Sequence, residues 1–589
     1  MRQFLKYVLA TIVGLLLFTF IGFMLLFGVA SVITAASDKQ VSVSEKSVLK
    51  LDLDNPIREI GEDNPFAELL PFTSDGDVTG LIELRRALAN AKADPNIKGV
   101  YLKTESPQAG WASLEEVRNA LIDFKQSKKF VYAYGENMSE KGYYIASVAD
   151  NIYLNPIGGL EWNGLEGEYM FFKGTLDKLG VKPLIFRVGE FKSAVEPFIR
   201  EDMSEPNKLQ TASFLNSINN HFMANVAKSR GLQLAELQRL ADNLSIQTAA
   251  DAQKAKLVTR VAYFDEVEND MRRKLDVDEE KKINYISLNK YSKAKKYVDE
   301  GNSRNRIAVI VASGDIVSGK DNNQDNIASD KVAEQLRRAR LDDRVKAVVL
   351  RINSPGGSAL ASDVMWREIT LTNKVKPVIA SMSDYAASGG YYMAMGCRKI
   401  VAAPNTITGS IGVFGMLFNA QNFFKEKLGI TYDRVTTNKY SDFPSVTHEM
   451  TEFEKNVIQQ SVERTYNVFT TKAAQGRKMP VDSLRSLASG RVWSGEQAKA
   501  NGLVDALGGL DEAVKLAAKD AGLKEGDYRL RFIPEKRNFM ERFVNTISDE
   551  EEARINSQLG EAAPYLKYMK KLKNLEGIQA RMPFELTIR

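Results

Sequence analysis

Cysteine and histidine are almost missing from this chain: 589 residues hold one cysteine, Cys397, and two histidines, His221 and His448. A single cysteine excludes an internal disulfide framework and any CxxC metal or redox motif. Cys397 sits in an apolar stretch and reads as a small packing residue. The two histidines lie in or beside helical segments far down each half of the chain, where packing or solvated roles are usual, so a Ser-His-Asp triad is poorly supported. An excess of charge is also lacking. With 80 basic and 75 acidic residues the formal net charge is +5, which argues neither for a nucleic-acid partner nor for an acidic substrate. Lysine-rich stretches such as Lys293 to Tyr297 read as solvated surface.

One long apolar run is present. From Tyr7 to Ser37 there is no charged residue, with Arg2 and Lys6 before it and Asp38 and Lys39 after it. A helix needs about 20 apolar residues to cross the hydrocarbon of a bilayer, and this run exceeds that. A cleavable signal has a shorter apolar region and a small-x-small site, so the run reads as an uncleaved transmembrane signal anchor. Positive residues on its N-terminal side place the short tail in the cytoplasm and the remaining chain on the extracytoplasmic side, the periplasmic face of a bacterial plasma membrane.

The middle of the chain is written twice. A shift of about 248 positions brings DPNIKGVYLKTESP (from Asp94) onto DDRVKAVVLRINSP (from Asp342), KGYYIA (from Lys141) onto GGYYMA (from Gly389), and NIYLNP (from Asn151) onto KIVAAP (from Lys399). A unit this long is a fusion of two globular domains rather than a solenoid repeat. In each copy short β-branched runs alternate with helical stretches, the pattern of a layered α/β domain on a mainly parallel sheet. The expected division is residues 1–37 as tail and anchor, 38–294 as the first copy, 295–306 as a polar linker, 307–531 as the second copy, and 532–589 as a helical tail outside the repeat.

In such domains ligands sit at the carboxyl ends of the strands, and there the copies differ. The second copy carries NSPGGSA, Asn353 to Ala359, and NTITGSIGVFG, Asn405 to Gly415. Adjacent Gly356 and Gly357 ahead of a helix let backbone N–H groups come close to a ligand oxygen. Ser410, between Gly409 and Ile411, is a candidate nucleophile, although glycine-flanked serines more often cap helices. In the first copy Gln108 and Ala109 replace the glycine pair, and Trp162 stands where Ser410 does. A nucleophilic serine needs a base, and a lysine serves when burial lowers its pKa. FRVGEFKSAVEPFIR, Phe186 to Arg200, holds Lys192 among apolar residues, with Ser441 at the matching place in copy two. Lysines in amphipathic segments are usually surface residues. The complementary losses shift that balance, because the serine survives in one copy only and the lysine in the other.

NSPGGS, ASGGYYMA, TGSIGVFG and FKSAVEPF together resemble the long-form signal peptide peptidase A family, peptidase family S49, over nearly the whole chain. The resemblance implies tandem ClpP/crotonase-like α/β domains and a Ser/Lys dyad, with Ser410 as nucleophile and Lys192 as general base. It further implies an oxyanion hole of Gly357 and Ile411 N–H groups with Gly356 allowing the turn, no cofactor or metal, hydrophobic peptide substrates, and a homotetramer on the membrane. Phe191 stands where the family's tyrosine precedes the lysine. A crotonase-type acyl-CoA enzyme and an inactive scaffold of the same fold are the alternatives.

Overall fold

Buried Val, Ile and Leu runs form the strands, and the repeat is visible in how they are stacked. A computed structural model of the chain describes residues 2–37, 41–61, 78–298, 303–321, 326–534, 577–582 and 587–588. The N-terminal run is one helix, α1 (Arg2–Ser37), matching the apolar pattern. Among the described residues no helix is long and apolar enough to cross a membrane.

The first copy is built on β1 (Ser47–Asp52), β2 (Ile97–Lys103), β3 (Phe130–Met138) and β4 (Asn151–Leu160), followed by β5 (Lys182–Arg187), β6 (Arg260–Val261) and β7 (Tyr285–Ser287). Its sheet has the order β7-β1-β2-β3-β4-β6, and every pair is parallel. The connecting helices include α2 (Trp111–Lys125) and the long α3 (Glu205–Arg230). β1 and β2 are buried at most positions, as expected of a parallel sheet covered on both faces.

The second copy repeats this with β8 (Arg306–Ser313), β9 (Asp315–Val317), β10 (Asn326–Ala328), β11 (Val345–Ser354), β12 (Gly356–Ser358), β13 (Val378–Ala387), β14 (Lys399–Ala402), β15 (Ile407–Gly409), β16 (Phe414–Asn419), β17 (Val492–Ser494) and β18 (Arg529–Ile533). Its main sheet runs β17-β15-β13-β11-β8-β18, with β14 also on β13, and only the β15–β17 pair is antiparallel. Helices α4 (Ala359–Asn373) and α5 (Gly389–Ala394) pack against it, while α6 (Glu452–Arg477) packs on β5 and β16.

A third sheet was not foreseen, and it belongs to neither copy alone. Its order is β10-β9-β12-β19-β16-β5, where β19 is the tail segment Gly577–Arg581. β5, from copy one, pairs antiparallel with β16, from copy two, over Lys182↔Asn419 to Arg187↔Phe414. The expected helical tail is corrected where it is described: residues 532–533, which end β18, and residues 577–581 and 587–588 are strands. The physical reason is that β12 and β16 leave a gap whose two edges an extended segment satisfies, which a helix cannot do. The helical reading of residues 535–576 lies outside the described residues.

The copies are joined by buried charge. Arg351 of β11 is fully buried and forms ion pairs with Glu59 at 2.9 Å and Glu116 at 2.8 Å, both from copy one. It also donates to the hydroxyls of Ser381 and Ser383. Asp384 accepts from the Ser113 amide and hydroxyl across the same boundary.

Candidate active site

The pairing of β5 with β16 decides where the chemistry is. Ser410 lies four residues before β16, and Lys192 lies five residues after β5. Because the strands run antiparallel, the chain leaving β5 meets the chain entering β16. Lys192 Nζ stands 3.1 Å from Ser410 Oγ, 3.1 Å from the Ser410 carbonyl oxygen and 2.9 Å from Ser388 Oγ. All three residues are fully buried. The two residues singled out from the sequence, 218 positions apart, therefore meet within one chain.

Glycines make room for the lysine stem. A Cβ on Gly490 would lie 2.7 Å from the Lys192 Cβ, and one on Gly412 would lie 3.1 Å from its Cδ. Gln210, from α3, fixes the segment that carries the lysine: its amide donates to Ser193 Oγ and the Phe191 carbonyl, and its oxygen accepts from the Val492 N–H. The Arg491 guanidinium carbon lies over the Phe191 ring, 5.1 Å from the ring centroid.

Burial pushes the Lys192 amine well below its ordinary value. Its hydrogen-bond partners are hydroxyl and carbonyl oxygens, with no carboxylate among them to hold the ammonium form. Such a place favours the neutral amine, the form that can accept a proton. Ser388, whose own hydroxyl reaches the Gly412 carbonyl at 3.3 Å, holds it in line. Ser388 lies within ASGGYYMA, a motif that by itself assigns the serine no role. The one available signal was its position between small residues at the start of α5, where a φ of +54° shows a tight turn.

Ser410 itself has a φ of +47°, a backbone conformation that side-chain-bearing residues rarely adopt, next to Gly409 at +77°. Its N–H donates to the Arg491 carbonyl at 2.7 Å, and Ser388 N–H donates to the Gly409 carbonyl at 2.8 Å, so the turn is tied on both sides. On the other side of the cleft Gly356 (φ +106°) and Gly357 (φ +152°) bring the backbone of β12 close. The Ala580 carbonyl oxygen of β19 would be 2.2 Å from a Cβ on Gly356, an approach that only glycine permits. The Gly356 N–H donates to Ser354 Oγ at 3.1 Å, in keeping with the expected role of Gly356 in shaping the turn. A cavity of about 680 Å³ opens beside Gly577 to Gln579, with Ile316, Val317, Leu360 and Val468 in its wall.

Copy one cannot host the same arrangement. Trp162 is buried where the serine would be, donates to the Leu237 carbonyl, and packs edge-on to Tyr143. Ser441, opposite Lys192 in the repeat, is on an exposed loop. Of the histidines, His221 bonds Glu115 and Asn225, and His448 pairs with Asp442; among the described residues neither contacts Ser410.

Comparison with known proteins gives the same picture at the level of the chain. The model of "Peptidase family S49" matches twice, over residues 123–278 and 370–524, once in each copy. "Protease 4" of Salmonella typhi is 38% identical over 76% of this chain and 72% of its own length, and "Protease 4" of Haemophilus influenzae is 35% identical over 85% and 83%. "Serine protease SPPA, chloroplastic" of Arabidopsis thaliana is 35% identical over 75% of this chain, which spans 66% of that relative.

Proposed function

Since the chain belongs to peptidase family S49 and is a serine peptidase, we propose that it hydrolyses peptides with a Ser410/Lys192 dyad assembled from both copies. Neutral Lys192 takes the proton from the Ser410 hydroxyl as Oγ attacks the scissile carbonyl. The tetrahedral oxyanion is held by the N–H groups of Gly357 and Ile411, with Gly356 shaping the turn. Lys192 then gives its proton to the leaving amine, and a serine ester remains. Water, activated by the same amine, hydrolyses that ester and restores the enzyme. Ser388 keeps the amine on the line between these two proton transfers. The observation that carries this reading is the 3.1 Å contact between Lys192 Nζ and Ser410 Oγ in a fully buried site without a carboxylate partner.

The substrates we propose are hydrophobic peptides, remnant signal peptides among them. The apolar wall of Ile316, Val317, Leu360 and Val468 beside the cleft supports this. The sequence of the uncharged run from Tyr7 to Ser37, and not the structure of α1, supports a single-pass anchor in a bacterial plasma membrane with both copies on the extracytoplasmic side. A homotetramer follows from the family resemblance. Membership in a peptidase family sets aside the acyl-CoA alternative.

A serine-reactive fluorophosphonate, used beside a Leu- and Ala-rich peptide substrate, tests the chemistry. Ser410→Ala is expected to abolish labelling and cleavage, and Lys192→Ala to abolish cleavage. Full peptidase activity in Ser410→Ala would overturn the assignment.

A further inference from the structure

A cavity of about 360 Å³ lies on the boundary between the copies, and neither Ser410 nor Lys192 lines it. Copy one contributes the loop at 108–110, Trp111, Lys141 and Ile218, and copy two contributes Asp384, Asn405 and Ile407. By the shift that aligns the copies, this loop stands where copy two has Gly356 and Gly357, and Lys141 stands where copy two has Gly389. A place that keeps glycines in the catalytic copy carries a lysine in the other.

Three polar groups in these walls have no partner among the described residues. Lys141, half-buried on the helix Glu140–Ala146, makes no hydrogen bond or ion pair there. Burial lowers its pKa, and the neighbouring Asp384 restores it only in part. Asp384 gives both oxygens to the Ser113 amide and hydroxyl, in the first turn of α2. Trp111 is 3% exposed, and its indole Nε1–H is unpaired. Asn405 is 2% exposed, and its Nδ2 donates to Glu115 Oε2 at 3.2 Å; since a carboxylate only accepts, the atom left unpaired is the acceptor Oδ1. Buried polar atoms in folded proteins are nearly always satisfied, and exceptions mark a water or a ligand. Water would answer the hydrogen bonds but not the charge, because an ammonium that burial makes costly gains most from an anion. One negative charge suits the place. A second, as on a phosphate, would meet Asp384 with little water between them.

We propose that this cavity binds an apolar residue with a free carboxyl terminus, its carboxylate on Lys141 and the Trp111 N–H, its main-chain nitrogen on Asn405 Oδ1, and its side chain against Ile218, Ile407 and the Trp111 ring. The end of a short peptide and a free apolar amino acid share that chemistry. A volume at the small end of the range for ligand pockets suits a terminal residue rather than a long segment. Calling the ligand a product rests on the peptidase reading, in which each cleavage leaves a new carboxyl terminus. Asn405 and Ile407 stand on the segment that leads into Ser410, so a bound terminus is held against the strand that presents the nucleophile.

Binding, which does not depend on turnover, tests this. The full chain carrying Ser410→Ala is titrated by calorimetry with N-acetyl-leucine and with N-acetyl-leucinamide, which lacks the carboxylate. The acid is expected to bind at least about tenfold more tightly than the amide. Lys141→Met is expected to remove that preference and Lys141→Arg to keep it, while Trp111→Phe, which retains the ring, weakens binding of the acid several-fold. Acetyl-alanyl-leucine and free leucine separate the two sources: tighter binding of the first assigns the site to peptide ends, tighter binding of the second to free amino acids, and both uphold a carboxylate site. No binding of the acid at about 10 mM, equal binding of acid and amide, or a preference that survives Lys141→Met overturns the proposal. Failure of the peptidase reading would show separately, as a parent chain that the fluorophosphonate does not label while the preference for the acid stands.

Discussion

Lys192 is the residue at which stability and activity pull apart. Burial lowers its pKa well below the usual value, so over the interval between that lowered value and the ordinary value of about 10.4 the unfolded chain binds a proton that the folded chain does not. Stability contributed at this position therefore rises with pH across the interval. The penalty is fully present below the folded pKa and is gone above the unfolded one. Lys192→Met is expected to be inactive yet more resistant to thermal unfolding than the parent near neutral pH, with the gain shrinking as the pH approaches 10; melting curves across pH check this. A gain that grows with pH would contradict it. Ser388 accepts a hydrogen bond from the same amine, and such a bond favours the charged form. Ser388→Ala should lower kcat about ten- to a hundredfold with little change in KM, and should move the acidic limb of the kcat profile to lower pH. A purely structural role would leave that limb where it is.

At the scale of elements, activity depends on one cross-copy ladder. Ile185 sits inside β5 opposite Met416 of β16, so Ile185→Pro removes a ladder donor in the middle of the pair. The expected result is loss of fluorophosphonate labelling while far-ultraviolet circular dichroism still shows both α/β layers. Gly490→Ala tests the same region from the other side, because its φ of +82° and the 2.7 Å approach to the Lys192 Cβ leave no place for a methyl group. The parallel sheets were legible in the sequence, and so was the choice of Ser410 and Lys192 as the pair that the fold brings together, because repeated apolar runs and complementary losses are local signals. The β5–β16 pairing was not, since β5 reads as one more strand of its own copy and nothing in six residues announces a partner in the other. Ser388 was illegible for a related reason: its role exists only once an amine arrives from 196 positions away. The tail strand failed because GIQAR is short and nearly featureless, and its conformation is dictated by the gap that it fills.

At the scale of the molecule, the two copies are held in register by a buried cation between two carboxylates. Arg351 has its pKa raised; burial alone would lower it, and Glu116 and Glu59 outweigh that. Removing only the cation strands both carboxylates, so Arg351→Met should destabilise the chain by about 3–5 kcal/mol. Combining it with Glu59→Gln and Glu116→Gln should recover most of that loss, as measured by urea unfolding. If the triple variant were no better than the single one, the packing of the arginine stem and not its charge would be what joins the copies.

The antiparallel meeting of β5 and β16 also has a consequence for synthesis. A ribosome releases Lys192 long before Ser410, and the Gly490 turn that seats the lysine comes later still. Domains emerging from the ribosome fold in order from the N-terminus. Copy one thus folds around Trp162, and a chain arrested before the second copy is finished holds Lys192 without the Ser410 that it meets in the whole chain. On the proposed dyad, the site is incomplete until the second copy has folded.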